Sequence, residues 1–265
     1  MRTFGSVHIG TSGWSYNWDA FYPPGLPASE RLRFFSRCFS TTEVNSTFYH
    51  MPRVNTVEKW RDDTPSAFVF ALKLNRRITH LKRLRDIQDP LREFLSRAII
   101  LGFKQGPLLV QLPPRFALDV PCLRDFLEVV NDLSRELRIP FPRLALETRH
   151  PSWYASSDES NEMMALLKTY QVAFVFAHSS RYPYPRGEPI TAGFVYLRFH
   201  GPKELFASKY EDGFLENTAD KIKAWRREGL DVYVYFNNDV HGYAVENAMT
   251  LQEMVNPGER SLPLV

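Results

Sequence analysis

The chain has 265 residues, of which 44% are hydrophobic and 24% are charged, and its formal net charge at pH 7 is +3. This composition excludes a disordered chain, and the weakly basic charge falls short of the strong basic footprint of most nucleic-acid-binding proteins. The two cysteines, Cys38 and Cys122, lie far apart and form no CxxC pair, which argues against a disulfide framework and a structural zinc site.

Eight short runs rich in β-forming residues recur along the chain at fairly even spacing. They are residues 7–10, 42–45, 68–74, 108–112, 144–147, 172–178, 194–200 and 231–237. Most gaps between them hold apolar residues at helical spacing, as expected for the crossovers that parallel strands need.

The gaps predict seven helices and one irregular loop. Pro90 fits a first helical turn and predicts a helix that starts at Asp89. Residues 179–193 are rich in Pro, Tyr and Arg and predict a loop. The other predicted helices span residues 29–38, 55–60, 123–137, 161–170, 217–227 and 243–254.

This alternation predicts one α/β domain over residues 1–265, a parallel eight-stranded (β/α)8 barrel of the TIM type. No GxGxxG or Walker A loop occurs, which disfavours a nucleotide-binding sheet. Residues 1–10 lack the apolar core of a signal peptide, and no stretch approaches the roughly 18 apolar residues of a membrane span. We therefore expect a cytoplasmic protein without a membrane partner.

Polar residues fall on one parity of most predicted strands, the parity that would face the barrel axis. In such a barrel these positions reach the mouth at the C-terminal ends of the strands, where active sites lie. A core built for stability alone would use apolar residues there, because a buried charge without a partner costs several kcal/mol. In the sixth run both alternating sets are apolar up to His178, so the inward set cannot be identified from the sequence. The polar inward positions include Ser12, Glu43, Asn45, Lys73, Gln111, Glu147, Arg149, Arg198, His200, Tyr235 and Asn237.

Eight motifs in order resemble the YecE-like family, known as domain of unknown function number seventy-two. They are IGTSGW at 9–14, FYP at 21–23, EVNSTFY at 43–49, ITH at 78–80, LVQLPP at 109–114, ETRHPSW at 147–153, YLRFHG at 196–201 and YFNND at 235–239. The resemblance implies a TIM-type barrel distantly similar to sugar-isomerase-type barrels, and it implies no particular activity. Thr148 departs from the aromatic or aliphatic residue expected there, but its parity faces the helices.

The leading functional hypothesis is an enzyme that acts by acid/base chemistry, as a hydrolase or an isomerase, on a small polar, anionic or sugar-like substrate. Glu43 and Glu147 would divide the roles of general acid and base, since two carboxyl groups in different surroundings can differ in pKa. Lys73, His178 and His200 complete the predicted catalytic set. The predicted substrate-binding residues are Ser12, Trp14, Asn45, Gln111, Arg149, Arg198, Gly201, Tyr235, Asn237 and Asn238.

Three other uses of these residues stay open. Glu43 could instead pair with Lys73, and Glu147 with Arg149 or Arg198, as a structural ion network. Lys73 could form a Schiff base. A divalent metal could bind at Glu43, Glu147, His178 and His200 with help from Asn45 or Asn237, although no HxH or HExxH spacing supports it and no cofactor is required.

The runner-up hypothesis is a nucleic-acid-binding or nucleic-acid-processing protein. The basic run at residues 75–85 follows the third strand, at the mouth, and could attract a polyanion. A rim of aromatic residues could stack on bases or sugars. A third possibility is a barrel that binds a ligand without catalysis. The rim residues are Trp14, Tyr16, Trp18, Tyr22, Tyr49 and Trp153.

Overall fold

The strands of this computed structural model, which describes residues 4–257, are all parallel and belong to one sheet. They are β1 Val7–Thr11, β2 Thr41–Val44, β3 Val69–Lys73, β4 Gln105–Gln111, β5 Leu144–Glu147, β6 Ala173–Phe174, β7 Phe176–His178, β8 Phe194–Phe199 and β9 Asp231–Phe236. Their order across the sheet is β6-β5-β4-β3-β2-β1-β9-β8-β7. The bounds agree with the predicted runs to within one residue, except that β4 begins three residues early, across Gly106 and Pro107, which the sequence marks as strand breakers.

The two edge strands of this sheet, β6 and β7, are separated in the chain only by Val175. β6 pairs with β5, and β7 pairs with β8, so the sheet curves into a nearly closed barrel. The predicted sixth run therefore appears as two strands, and the described residues contain nine strands rather than eight. Barrel closure staggers neighbouring strands, and this run meets one neighbour at its start and the other at its end.

Eight α-helices accompany the strands in residues 4–257. They are α1 Arg31–Cys38, α2 Ser46–Tyr49, α3 Val54–Asp62, α4 Gln88–Ala98, α5 Val120–Glu136, α6 Asp158–Thr169, α7 Asp212–Arg227 and α8 Tyr243–Val255. The short α2 was not predicted. α6 and α7 begin three and five residues earlier than expected, because their first turns carry acidic residues that suit a helix N-terminus but break the apolar pattern. Residues 179–193 form no helix or strand, as predicted.

The core has two layers, as the parity of the strands predicts. Leu72, Leu146 and Val234 belong to the large cluster that packs against the helices. A smaller cluster, which includes Ala145 and Tyr235, fills the barrel interior. The Tyr235 hydroxyl lies 2.8 Å from Thr41 Oγ1, and the side chain is fully buried. The prediction that Tyr235 binds substrate is therefore corrected: its ring fills the barrel below the mouth.

The predicted domain limits, 1 and 265, lie outside the described residues. Within residues 4–257, no helix is long and apolar enough to cross a membrane. Cys38 and Cys122 are both free thiols.

Candidate functional site

A cavity of about 770 Å³, termed the mouth pocket, opens at the C-terminal ends of the strands. The alternation of side chains along each strand brings inward polar residues from both sides of the barrel to this pocket. The residues predicted at the mouth that line it are Asn45, Lys73, Gln111, Arg149, Arg198 and Asn237.

Two of these lining residues, Arg149 and Arg198, form a group of four charged residues with Glu43 and Glu147, termed the ion cluster. Arg198 joins the two carboxylates, since its Nη2 donates to Glu43 Oε1 at 2.7 Å and its Nη1 donates to Glu147 Oε2. Arg149 Nε donates to Glu147 Oε1 at 2.8 Å. Both glutamates and Arg198 are at most 1% exposed.

The carboxylate oxygens of the ion cluster all have partners. Ser12 Oγ donates to Glu43 Oε1 at 2.9 Å, and the Tyr196 hydroxyl donates to Glu43 Oε2 at 2.7 Å. Burial alone would raise the pKa of Glu147, but Arg198 and Arg149 outweigh it and hold this pKa well below its ordinary value. Glu147 is therefore ionised at neutral pH and has no proton to donate.

This arrangement changes the interpretation of the two glutamates. Neither lines the mouth pocket, so the predicted acid/base pair lies behind Arg198 rather than facing a ligand. The alternative in which Glu147 pairs with Arg149 or Arg198 is confirmed, and both arginines contact it. The expected pairing of Glu43 with Lys73 is wrong, because in the described chain Lys73 has no carboxylate within 4.0 Å and Arg198 takes its place.

Lys73, at the end of β3, lines the pocket itself. Its Nζ lies 4.4 Å from the centroid of the Phe48 ring. Burial, followed by Arg198, lowers the pKa of Lys73 to about 7, although the two glutamates oppose the shift. A lysine with this pKa can accept or release a proton near neutral pH.

Two titratable residues of the pocket were not singled out from the sequence, His80 and Asp239. Burial raises the pKa of Asp239 to about 8, although a hydrogen bond with Tyr16 opposes the shift. Burial lowers the pKa of His80 to about 4, with Lys73 as the next cause. Both residues lie in the ITH and YFNND motifs, but they follow the strand ends, where the two-residue alternation no longer indicates direction.

His200 lies beside the ion cluster and is neutral. Burial, followed by Arg198, lowers its pKa well below the ordinary value. Its Nδ1 lies 3.0 Å from Nδ2 of Asn237, and an amide nitrogen can only donate, so the His200 proton is on Nε2. Nε2 has no hydrogen-bond partner and lies 3.9 Å from Glu147 Oε2.

Several polar atoms at this mouth are buried without a partner. They are Asn45 Oδ1, Arg198 Nε, His200 Nε2 and Asp239 Oδ1. Buried polar atoms in folded proteins nearly always have hydrogen-bond partners. Four of the nine such atoms in the described residues thus lie at this mouth, where a ligand or water can supply their partners.

Two residues predicted at the mouth point to the outside of the barrel. Trp14 packs edge-on against Trp60, with ring centroids 5.8 Å apart. His178 shares the outward parity of β7, and its Nδ1 lies 3.0 Å from the hydroxyl of Tyr210. Its ring centroid is 4.9 Å from that of Phe214 in α7. The predicted roles of Trp14 and His178 in the pocket are therefore corrected.

Gly201 and Asn238 hold loops and do not line the mouth pocket. Gly201 has φ +102°, and an added Cβ would lie 2.3 Å from the carbonyl oxygen of Glu204, so the turn requires glycine. Its N–H donates to Tyr210 and is not free for an anion. Asn238 is fully buried, and its Nδ2 donates to Asn247 Oδ1 at 3.0 Å.

The alternative metal site is not assembled, because His178 lies on the outer face. Among residues 4–257, no three His, Cys, Asp or Glu side chains converge in a way that could hold a metal ion. The expectation that no cofactor is required stays a prediction.

The aromatic rim is divided between the pocket and the protein core. Tyr16, Trp18 and Tyr49 line the mouth pocket. Tyr22 is buried and stacks against Trp18, with centroids 6.1 Å apart, and Trp153 is 1% exposed. Only the first three residues can therefore contact a ligand in the pocket.

The basic run at residues 75–85 lies beside the pocket. A single π-helical turn over Arg77–Leu81 buries Ile78 and brings His80 to the pocket, while Arg76 and Arg77 stay exposed. π-Helical turns of this kind are frequent at functional sites.

The fold and this site define a nearly closed parallel α/β barrel protein with a polar pocket at the C-terminal ends of its strands. The chain belongs to the family described as "Protein of unknown function DUF72", whose sequence model matches residues 8–264. The resemblance noted in the sequence is thereby confirmed.

Two relatives are similar in sequence. The chain is 30% identical to the UPF0759 protein YecE of Escherichia coli (strain K12) over 159 residues, which cover 59% of this chain and 53% of YecE. In that match the chain spans about half the length of the relative. It is 24% identical to the UPF0759 protein YunF of Bacillus subtilis (strain 168), with 94% of this chain and 95% of YunF covered.

Solved structures of the same family share the fold. A DUF72 family protein from Enterococcus faecalis V583 superposes with a TM-score of 0.80 at 19% identity, covering 94% of this chain and 95% of that protein. A DUF72 family protein from Thermotoga maritima MSB8 gives a TM-score of 0.79 at 25% identity, covering 94% of this chain and 99% of that protein.

Proposed function

We propose that this protein is an enzyme that binds a small anionic or sugar-like substrate in the mouth pocket and transfers a proton to or from it. Lys73 is the general base and Asp239 the general acid. This assignment replaces the hypothesis that Glu43 and Glu147 are the acid/base pair, because the oxygens of both glutamates are occupied by other partners.

The observation that carries the proposal is the set of unpartnered buried polar atoms at the mouth, of which Asn45 Oδ1, Arg198 Nε and Asp239 Oδ1 belong to residues that line the pocket. A polar ligand with both donors and acceptors would satisfy them. Arg198 also presents its unpartnered Nε as a donor, which an oxygen of an anionic ligand can accept.

The pKa values support the division of roles. With a pKa of about 7, Lys73 is partly neutral at physiological pH and can accept a proton. With a pKa of about 8, Asp239 is mostly protonated there and can donate one. Glu43 and Glu147 act as positioning residues, because they fix the guanidinium of Arg198 beneath the ligand.

The same pair suits two reaction types. In a hydrolase, Lys73 activates a water molecule and Asp239 protonates the leaving group. In an isomerase, Lys73 removes a proton bound to carbon and Asp239 protonates the oxygen that becomes an enol. A Schiff base on Lys73 is the covalent alternative, and borohydride trapping with a carbonyl ligand separates it from proton transfer.

The test starts from a panel of sugar phosphates and sugar acids screened for thermal stabilisation of the protein. Compounds that bind are then followed by proton NMR in heavy water, where isomerisation exchanges a carbon-bound proton and hydrolysis gives new products. We expect Lys73→Met and Asp239→Asn to reduce turnover by about 100-fold or more while the protein stays folded. Lys82→Met, which removes an exposed lysine of the basic run, is the matched control and should keep full turnover.

Two outcomes would reject the proposal. Full turnover in both variants would remove Lys73 and Asp239 from the chemistry. Tight binding without turnover of any bound compound would instead favour a barrel that binds its ligand without catalysis.

A further inference from the structure

A second cleft, of about 830 Å³, adjoins the mouth pocket and is termed the basic cleft. Asp and Glu are absent from its lining within the described residues. It lies at the start of α3 and beside the π-helical turn, and its polar and aromatic lining includes Tyr49, His50, Arg53, Asn75, Arg76 and Arg77.

The arginines of the basic cleft have no counter-ions. Within residues 4–257, no carboxylate lies within 4.0 Å of Arg53, Arg76 or Arg77, whereas Arg92 and Arg124, on the helices, are each paired with a glutamate. Three guanidinium groups that face one cavity without compensation create a positive potential, which attracts an anion. Arginine also binds phosphate and carboxylate groups with two parallel hydrogen bonds.

The backbone holds two of these arginines in a defined place. Asn75 is 2% exposed, and its Nδ2 donates to the carbonyl oxygen of Thr47 at 2.9 Å. Its Oδ1 accepts from the backbone N–H of Arg77 at 3.0 Å. The same segment therefore brings Lys73 to the mouth pocket and, a few residues later, Arg76 and Arg77 to the basic cleft.

Tyr49 belongs to the lining of both cavities. Its side chain is 60% exposed, although it is a large aromatic residue. It packs edge-on against Phe48, with ring centroids 5.0 Å apart, and Phe48 in turn lies under the amine of Lys73. An exposed ring between the mouth pocket and the basic cleft suits a ligand whose anionic groups lie on either side of a ring or a sugar.

We propose that the ligand carries two phosphate-type anionic groups and extends from the mouth pocket across Tyr49, so that its second anionic group lies in the basic cleft against Arg53, Arg76 and Arg77. The inference rests on the proposed function, because the first group occupies the mouth pocket. A bisphosphorylated sugar and a short nucleic-acid strand share this chemistry.

The experiment compares glucose 6-phosphate, glucose 1,6-bisphosphate and a short single-stranded oligonucleotide by isothermal titration calorimetry on the full chain. We expect the wild type to bind the bisphosphate about tenfold or more tightly than the monophosphate. The double variant Arg76→Glu, Arg77→Glu should lose this advantage and keep its affinity for the monophosphate. The control, Arg37→Glu with Arg227→Glu, makes the same change in net charge at the opposite end of the barrel and should keep the advantage.

The outcomes separate this inference from the proposed function. If Lys73→Met weakens the monophosphate but the wild type binds both sugars equally, the two-group ligand is rejected and the mouth pocket stands. If none of the three probes binds, the two-group ligand is rejected, and the proposed function is decided by its own panel of sugar phosphates and sugar acids. If the oligonucleotide binds more tightly than the bisphosphate and only the Arg76, Arg77 variant loses it, the source of the second phosphate is a nucleic-acid strand. The reverse preference assigns it to a small molecule.

Discussion

The ion cluster and the wall of the mouth pocket, represented by Lys73 and Asp239, lie at the same end of the barrel and contain the same kinds of group. In the ion cluster, each carboxylate oxygen accepts a hydrogen bond, and Glu147 is held ionised. In the wall, Asp239 keeps an oxygen without a partner, and Lys73 has no carboxylate within 4.0 Å in the described chain. The pKa values of these two groups lie near neutrality.

The difference shows that charge at a barrel mouth is not by itself a sign of catalysis. A charged group whose partners are complete is fixed in one protonation state and serves to hold its neighbours. A group that is buried with incomplete partners changes its protonation state easily and has hydrogen-bonding capacity left for a ligand. Arg198 belongs to both regions, because it pairs with the glutamates and also presents an unpartnered Nε.

The largest expected effect comes from breaking the ion cluster at Arg198. Replacement by Met leaves Glu43 and Glu147 buried together without their shared cation, so Arg198→Met should reduce the free energy of unfolding by about 3–5 kcal/mol. Urea denaturation measures this. Arg92→Met removes exposed ion pairs with Glu136 and Asp89, which solvent screens, and should cost much less. Equal losses of unfolding free energy in Arg198→Met and Arg92→Met would contradict the stabilising role assigned to the ion cluster.

The next effect concerns Lys73 and depends on pH. The folded protein binds the Lys73 proton less tightly than the unfolded chain, with a pKa of about 7 against 10.5. The wild type therefore gains stability as the pH rises from about 7 to 10.5, and below pH 7 it carries the full cost of the buried charge. Lys73→Met should be more stable than the wild type by roughly 1–3 kcal/mol at pH 6. This difference is smaller than the full pKa shift would give, because the Lys73 side chain is partly exposed and solvent screens its charge.

Thermal unfolding of Lys73→Met and wild type across this pH range checks the prediction. The stability difference should shrink toward pH 10. A constant difference would mean that packing of the methionine, rather than the proton on Lys73, explains it.

Asp239 should change the stability by a smaller amount, and its effect should follow pH in the opposite direction to that of Lys73. Its folded pKa of about 8 lies above the ordinary 3.8, so the wild type loses stability as the pH rises from about 4 to about 8. Asp239→Asn removes this loss and should stabilise the protein by about 1–2 kcal/mol at pH 9 and hardly at all at pH 4. Chemical denaturation at the two pH values measures it, and stabilisation at pH 4 alone would reverse the assigned sign.

The smallest effect should come from His178, which lies outside the pocket. His178→Phe removes the hydrogen bond with Tyr210 and should cost about 1 kcal/mol in unfolding free energy. Ligand affinity and turnover should stay at the wild-type level. A loss of binding without a loss of stability would return His178 to the functional site.

Much of the fold was predictable because strand alternation and helical periodicity are local signals. Parity placed Asn45, Lys73 and Gln111 correctly at the mouth. It could not show that Arg198, rather than Lys73, pairs with Glu43, because that choice depends on side-chain reach across the barrel.

Two of the errors have a common cause. Trp14 and Asn238 come after the ends of β1 and β9, where turn geometry rather than strand parity sets the direction of a side chain. The missed residues His80 and Asp239 occupy the same kind of position. The sixth run is split at Val175 because neighbouring strands are staggered in a closed sheet. The sequence of one strand does not indicate this stagger.

The π-helical turn at Arg77–Leu81 has a consequence for how the pocket can change. Its closing hydrogen bond runs from the N–H of Lys82 to the carbonyl oxygen of Arg77, so the turn holds one residue more than an α-helical turn. Loss of a single residue there would rotate the side chains after the deletion by about 100° around the helix axis. His80 thus faces the pocket because the turn contains this extra residue. A one-residue deletion would turn His80 away from the pocket, a change that no single substitution produces.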